Sequence, residues 1–336
     1  MKNRIILLLA AIVAFSSCDN ELHLVAPWKR IPVVYGFLNL SENAQYIRVE
    51  KAFLDPEKSA EQIAKNPDSL YFNNIEVSLT RVKNGTTWLL TRVNGTDEGF
   101  PKKPGTFAQD PNYLYKINTK DIELVAGEQY KLSIKDLSNN TTIAEATTNV
   151  VGNYNMVATD PPNPGAWPYK SDVRFSWRSN ETVGKVYDVF MKFYYNENTI
   201  DQPSKFAKKS LTWKIAENVQ RPADPTSRIT AMLKGEEIFK FLGENISKIP
   251  GIKRIFLSYD VTVVARGQEF QDYIDLGNAS SGITSSQILP TYSNISNDGI
   301  GIFSSRNILE AVDYSINTPT RDSLKSGIYT KDLGFQ

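Results

Sequence analysis

Apolar and polar residues alternate one for one along much of this chain. Ile47 and Val49 alternate with Arg48 and Glu50, and Ile75, Val77 and Leu79 with Glu76, Ser78 and Thr80. Tyr130, Leu132 and Ile134 alternate with Lys131, Ser133 and Lys135. Successive side chains of an extended strand point to opposite faces, so a period of two predicts strands with one buried face. The pattern returns in the second half. Val173, Phe175 and Trp177 share a face, as do Tyr187, Val189, Met191, Phe193 and Tyr195. Leu211, Trp213 and Ile215 follow, and Ile255, Leu257, Tyr259, Val261 and Val263 make the longest clean run. Asn84-Gly85 and Asn94-Gly95 flank a strand predicted over Thr87 to Val93; both residue types tolerate positive φ and mark tight turns.

Helical periodicity interrupts the strands in few places. A short helix is predicted over Glu57 to Lys65, after Pro56. In Gly235 to Lys248, Ile238, Phe239, Leu242 and Ile246 form one stripe, stopped by Pro250-Gly251. Phe270, Tyr273 and Ile274 form a shorter stripe in Gly267 to Leu276. The expected fold class is mainly β: two antiparallel β-sandwich (immunoglobulin-like) domains, the second decorated by two short helices. The expected first domain covers 31–152 and the second 171–318. Between them, 153–170 contains DPPNPGAWP (Asp160 to Pro168), where prolines neither donate to a ladder nor continue a helix, predicting an extended linker or an ordered crossover. Asn278 to Leu289 is Ser/Gly-rich and predicts a loop. Ile300 to Ser304 predicts a strand in which Gly301 marks a bulge or a close backbone approach. The charged, turn-rich tail 319–336 is expected to be loosely held.

The first apolar run differs in kind. Lys2 and Arg4 precede an unbroken stretch from Ile5 to Phe15, then Ser16-Ser17 and Cys18, the single cysteine of 336 residues. The stretch is too short for a comfortable bilayer span but suits the apolar region of a secretory signal. Small residues directly before a lone cysteine resemble the lipobox of bacterial lipoproteins, although Phe15 departs from the usual Leu. The resemblance implies that 1–17 is removed as a signal peptide, that Cys18 becomes the lipidated N-terminus, and that 18–30 is a tether. An ordinary signal peptide or an unprocessed anchor with an incidental cysteine stays open as the alternative. No later stretch has spanning length, so membrane attachment is expected to rest on the lipid.

Composition narrows the function classes. Thirty-eight basic against thirty-seven acidic residues leave no basic surplus, which argues against nucleic acid as a partner. With Cys18 assigned to lipid, no thiol remains for a disulfide, a zinc cluster or a nucleophile. The single histidine, His23, lies in the tether, away from any rigid frame that would hold it beside a nucleophile, and one imidazole cannot build a histidine-based metal site. No cofactor and no metal are expected, and no catalytic residue is assigned. Carboxylate chemistry is the remaining enzymatic option, with Asp97-Glu98, Glu236-Glu237 and Asp313 as candidates for a glycan hydrolase. Exposed turn and helix surface explains them more simply, and Glu236 and Glu237 suit the first turn of a helix. Asn94, Thr96 and Asp97 offer oxygens for calcium without the spacing of a dedicated loop. Gly299-Ile300-Gly301 lacks the third glycine and the following helix of a nucleotide-binding loop.

Aromatic residues in predicted loops are the better lead for binding a glycan or peptide: Trp167 and Tyr169 in the linker, and Tyr71 and Phe72 at a loop-to-strand corner. Their alternative role is to pin the linker and cap the sandwich ends. Asp68-Ser69-Leu70 and Asp322-Ser323-Leu324 resemble the site at which Bacteroidota O-glycosylate exported proteins, which makes Ser69 and Ser323 candidate acceptors in predicted loops.

Three motifs together resemble a Bacteroidota outer-membrane lipoprotein family catalogued as a domain of unknown function. They are Pro32, Val33, Val34 and Gly36 of an early strand, LSYDVTVVARGQEFQDYIDLG (Leu257 to Gly277), and NISNDGIGIFSSR (Asn294 to Arg306). Genes of that family often lie beside TonB-dependent transporters. The resemblance implies a non-enzymatic accessory or ligand-binding role at the outer membrane, on its cell-surface or periplasmic face, and it brings no catalytic residues. Asp19 and Glu21 resemble, in weak form, the signal that sends such lipoproteins to the surface. A structural or adhesive surface protein is the second expectation, and a carboxylate-dependent glycan hydrolase the third.

Overall fold

The computed structural model describes residues 31–52, 59–179, 182–199, 201–202, 204–280 and 292–336. The signal peptide, Cys18 and His23 therefore lie outside the described residues, as does most of the expected loop 278–289.

The class is mainly β, and the described strands gather into sheets of eight, four and three. The large sheet runs in the order β12 (Phe206–Gln220), β11 (Val186–Asn198), β14 (Arg254–Arg266), β15 (Ile300–Tyr314), β1 (Pro32–Asn39), β2 (Ala44–Lys51), β6 (Tyr113–Asn118), β5 (Thr91–Asn94). A four-stranded sheet, β4 (Thr87–Leu89), β3 (Ile75–Arg81), β7 (Gln129–Asp136) and β8 (Thr141–Asn149), covers one half of it. A three-stranded sheet, β13 (Ile229–Lys234), β10 (Asp172–Ser179) and β9 (Tyr154–Met156), covers the other half with helix α3 (Gly235–Asn245). Alternation places Val34, Ile47 and Val49 against Val77, Leu79, Leu132 and Ile134 in the first core. In the second, Val189, Met191, Phe193, Val261 and Val263 meet Phe175, Trp177, Ile238, Phe239 and Leu242. Each such buried side chain contributes about 1.5–3 kcal/mol, so the packing of these faces holds the sandwiches.

The predicted strand Thr87 to Val93 is two strands. Thr87–Leu89 pairs with β3, Thr91–Asn94 pairs with β6, and buried Leu90 between them carries the chain from one sheet to the other. The first predicted helix is reduced to α1 (Ala60–Ala64), capped by Ser59, whose side chain accepts from the Gln62 N–H.

Strand β15 joins the halves. Its first part pairs in parallel with β1, from Val33 opposite Ile300 to Asn39 opposite Arg306, and its second part pairs antiparallel with β14. Phe303 enters the first core, whereas Leu309, Ala311 and Tyr314 pack on the second. The division at 153–170 thus leaves out a strand of the C-terminal segment that completes the N-terminal sandwich. The segment leading out of β8 is stitched to the same strand. The Val151 N–H donates to Ser305 Oγ at 3.0 Å, and Asn307 Nδ2 donates to the Gly152 carbonyl at 2.9 Å. The Tyr154 hydroxyl lies 2.7 Å from the Val263 carbonyl and 2.8 Å from that of Asn307, and accepts from the Ala265 N–H.

The proline-rich segment is an ordered crossover. Gly165 forms a bridge with Ile316, and the Trp167 N–H donates to Thr320 Oγ1 at 2.9 Å. The tail is likewise fixed, contrary to the loose hold expected from its charge. Helix α5 (Thr318–Ser326) is capped by Asn317, and Leu324, Leu333 and Phe335 enter the second core. Apolar residues at wide spacing anchor this tail, a pattern that neither helix nor strand periodicity reveals. Among the described residues no helix is long and apolar enough to cross a membrane.

Candidate functional site

The outer face of the large sheet is where side chains remain available. Val34, Gly36 and Leu38 turn inward on β1, leaving Tyr35 and Phe37 outside, and on β15 Ile300 and Ile302 do the same beside inward-facing Phe303. Parallel pairing sets Tyr35 next to Ile302. The close approach predicted for Gly301 is observed: its φ is +122°, and a Cβ there would meet the Val34 carbonyl oxygen.

Helix α4 (Gln268–Ser280) lies against this face. Glu269 fastens it: its Oε2 accepts from Ser304 Oγ at 2.7 Å and from Thr148 Oγ1 at 3.0 Å. Burial pushes the Glu269 carboxyl above its ordinary range, and these hydrogen bonds only partly offset that. Phe270 follows, its ring 6.5 Å from Phe37 on one side and 5.9 Å from Tyr273 on the other. Tyr273 in turn meets Tyr292 at 6.5 Å. Phe270, Tyr273 and Tyr292, together with Tyr35, Ile300 and Ile302, bound an open cleft of about 470 Å³. Tyr35 is 47% exposed and Tyr273 53%, so the rings present their surfaces to solvent. Burial, then the Asp272 and Glu269 carboxylates, push the Tyr292 hydroxyl up to about 12.

Tyr35 also borders a second hollow of about 340 Å³, lined by Tyr46, Arg48, Phe100 and Arg306 among others. Its charges are largely satisfied within the chain. Arg48 donates to Glu50 at 3.1 Å and to Asn112 at 2.8 Å, while Glu98 accepts from Tyr46 at 2.8 Å and from Lys116 at 2.6 Å. The Lys116 and Tyr46 hydrogen bonds hold the Glu98 carboxyl below its usual range.

The aromatics selected from loops are elsewhere. Trp167 is 2% exposed, packed 5.9 Å from Phe239 and 5.2 Å from Tyr259, and Tyr169 stacks half-buried on Phe239 at 4.9 Å. Tyr71 and Phe72 are buried as well, Tyr71 facing Tyr113 and accepting from Lys102 Nζ at 2.9 Å. These four pin loops to the cores, because large rings gain most from leaving water. Ser69 and Ser323 are half-buried on helices, α2 (Pro67–Leu70) and α5, rather than in loops.

Three of the five candidate acids have structural partners. Glu237 accepts from the Lys234 N–H at the start of α3, Glu236 accepts from the Tyr329 hydroxyl, and Glu98 accepts from Tyr46 and Lys116, whereas at Asp313 it is the backbone N–H that bonds, to Asp260. Asn94 Oδ1 accepts from the N–H groups of Thr96 and Asn112, so the suggested calcium oxygens shape their own loop. Among the described residues no group of three or more His, Cys, Asp or Glu side chains is arranged to hold a metal.

No protein-family model matches the chain, and no curated protein matches it. Among solved structures it is similar to the FN1-FN3 domains of chicken CNTN1, at 9% identity over 85% of this chain and 65% of that one, with a TM-score of 0.17. It is also similar to CBD12 from CALX1.2, at 10% identity over 84% of this chain and 99% of that one, with a TM-score of 0.18.

Proposed function

We propose that this chain is a lipid-anchored protein of the bacterial cell envelope that binds a ligand without transforming it, as an accessory partner of a TonB-dependent outer-membrane transporter. The binding role is carried by the open aromatic cleft beside Tyr35, whose volume lies within the range of about 300–1,000 Å³ typical of small-molecule sites. The placement is supported by Lys2, Arg4, the Ile5 to Phe15 run and Ser16-Ser17-Cys18, and by the motif resemblance of Leu257 to Gly277 and Asn294 to Arg306.

The hydrolase alternative draws no support from the cleft. Glycoside hydrolysis needs two carboxyl groups facing each other across the sugar. Here Glu269 and Asp272 belong to one helix, and Glu269 is held by Ser304 and Thr148. The adhesive alternative predicts loss of attachment, rather than of uptake, on deletion.

Mass spectrometry of the membrane-extracted protein tests the anchor: a diacylglycerol thioether on Cys18 is expected, and an intact leader or an acyl-free start overturns it. Cross-linking in mildly solubilised envelopes tests the partnership, with a transporter co-purifying as the expected result and its absence as the result that sinks it.

A further inference from the structure

The rings that line the cleft are not coplanar. Tyr273 and Tyr292 are inclined at 80°, and Phe270 and Tyr273 at 36°. Such rings form the walls of a box rather than a flat platform, over an aliphatic floor of Ile300 and Ile302. Polar groups are scarce among the lining side chains. Among the described lining residues only the hydroxyls of Tyr35, Tyr273 and Tyr292 are present. A sugar or a peptide backbone entering here would give up hydrogen bonds to water with few replacements.

The helix that walls the cleft carries charge of one sign. From Gln268 to Gly277 helix α4 carries Glu269, Asp272 and Asp275 and no basic residue. Arg266 stacks on Phe270 at 4.5 Å and is paired with Asp188 at 2.7 Å, and Arg48, opposite Tyr35 on β2, is paired with Glu50 at 3.1 Å, so both cations are matched by carboxylates of their own. A guest suited to these walls is positively charged and apolar on its surface, and it asks for few hydrogen bonds. A methyl-substituted ammonium group has all three properties, because its charge is spread over methyl groups that meet the negative faces of the rings.

We propose that the cleft bounded by Tyr35, Phe270, Tyr273 and Tyr292 binds a small organic cation through a methylated ammonium group. The proposal rests on the ligand-binding reading and names the class of ligand.

Titration of the full chain with choline, and with its neutral carbon isostere 3,3-dimethyl-1-butanol, tests it by NMR or calorimetry. Choline is expected to bind saturably in the millimolar range or tighter, and the isostere about tenfold more weakly. Tyr273→Leu, on an exposed helix position, should weaken choline about fivefold with an unchanged melting temperature, and Asp272→Asn should weaken it in the same direction. Equal affinity for the two compounds, no saturable binding at about 10 mM choline, or an unaltered affinity in Tyr273→Leu would overturn the proposal. The outcome is separable from the envelope reading. A choline-negative protein that is acylated and cross-links to a transporter loses only the cation, whereas a choline-positive protein without acyl groups loses the anchor and keeps the site.

Discussion

Gly301 faces Val34 across the parallel pair of β1 and β15 so closely that a Cβ on it would collide with the Val34 carbonyl oxygen. Its φ of +122° is also closed to ordinary L side chains. Gly301→Ala is therefore expected to destabilise the protein by about 3 kcal/mol, combining backbone strain with a main-chain clash. Gly277, in α4, has open space where its Cβ would be, and Gly277→Ala should stabilise by up to about 1 kcal/mol. Urea denaturation midpoints of the two variants check both signs.

Arg254 is 1% exposed; its guanidinium lies 2.6 Å from Glu197 and donates to the carbonyls of Ser247 and Leu333. Removing one partner of a buried pair leaves the rest uncompensated, so Arg254→Ala should cost about 3–5 kcal/mol. Because Leu333 and Phe335 are held at this point, the variant should also release the C-terminal tail to carboxypeptidase well below its melting temperature. A tail that stays protected would contradict this role.

Acid sensitivity should have two opposing components. Glu269 has a raised folded pKa, so the unfolded chain ionises first as pH rises. Its penalty is absent below the unfolded value near 4.5 and is complete above the folded one. Glu269→Gln should thus raise stability at neutral pH and make no difference in acid. Glu128 behaves oppositely: hydrogen bonds from Arg81 and Lys83 lower it to about 2, so its contribution is present above 4.5 and is lost as pH falls toward 2. At pH 7 the melting temperature of Glu269→Gln should lie above that of the parent and that of Glu128→Gln below it, and both differences should shrink as pH falls to 3.

Trp167 and Tyr273 separate core aromatics from surface aromatics. Trp167→Ala should cost about 3–5 kcal/mol, since it empties a packed site between Phe239 and Tyr259. Tyr273→Ala should cost under about 1 kcal/mol, because the ring is more than half exposed. Paired thermal melts check the contrast, and similar losses would refute the assignment of roles.

Strands such as Val186–Asn198 and Arg254–Arg266 were legible because one face is buried along their whole length and alternation records burial directly. The partner of β1 was not legible, since no local pattern says that Val33 lies beside Ile300. The cleft was hidden for the same reason: Tyr35, Phe270 and Tyr292 come from separate parts of the chain. Phe270 and Tyr273 did stand out as an apolar stripe, which periodicity assigns to a core. The unread signal was the partial exposure of that stripe once the helix docked through Glu269. Trp167 misled in the other direction, as a proline-rich setting suggests solvent even where the backbone is bonded to Thr320.

Strand β15 imposes an order of events on the polypeptide. Delivered N-terminus first, from a ribosome or through a translocation pore, the early half waits for Ile300 to Arg306 before β1 gains its second neighbour. Until then β1 offers a bare edge, the kind of surface that recruits stray strands or chaperones. A product cut short before Ile300 would lack both this neighbour of β1 and the Phe303 side chain that fills the first core.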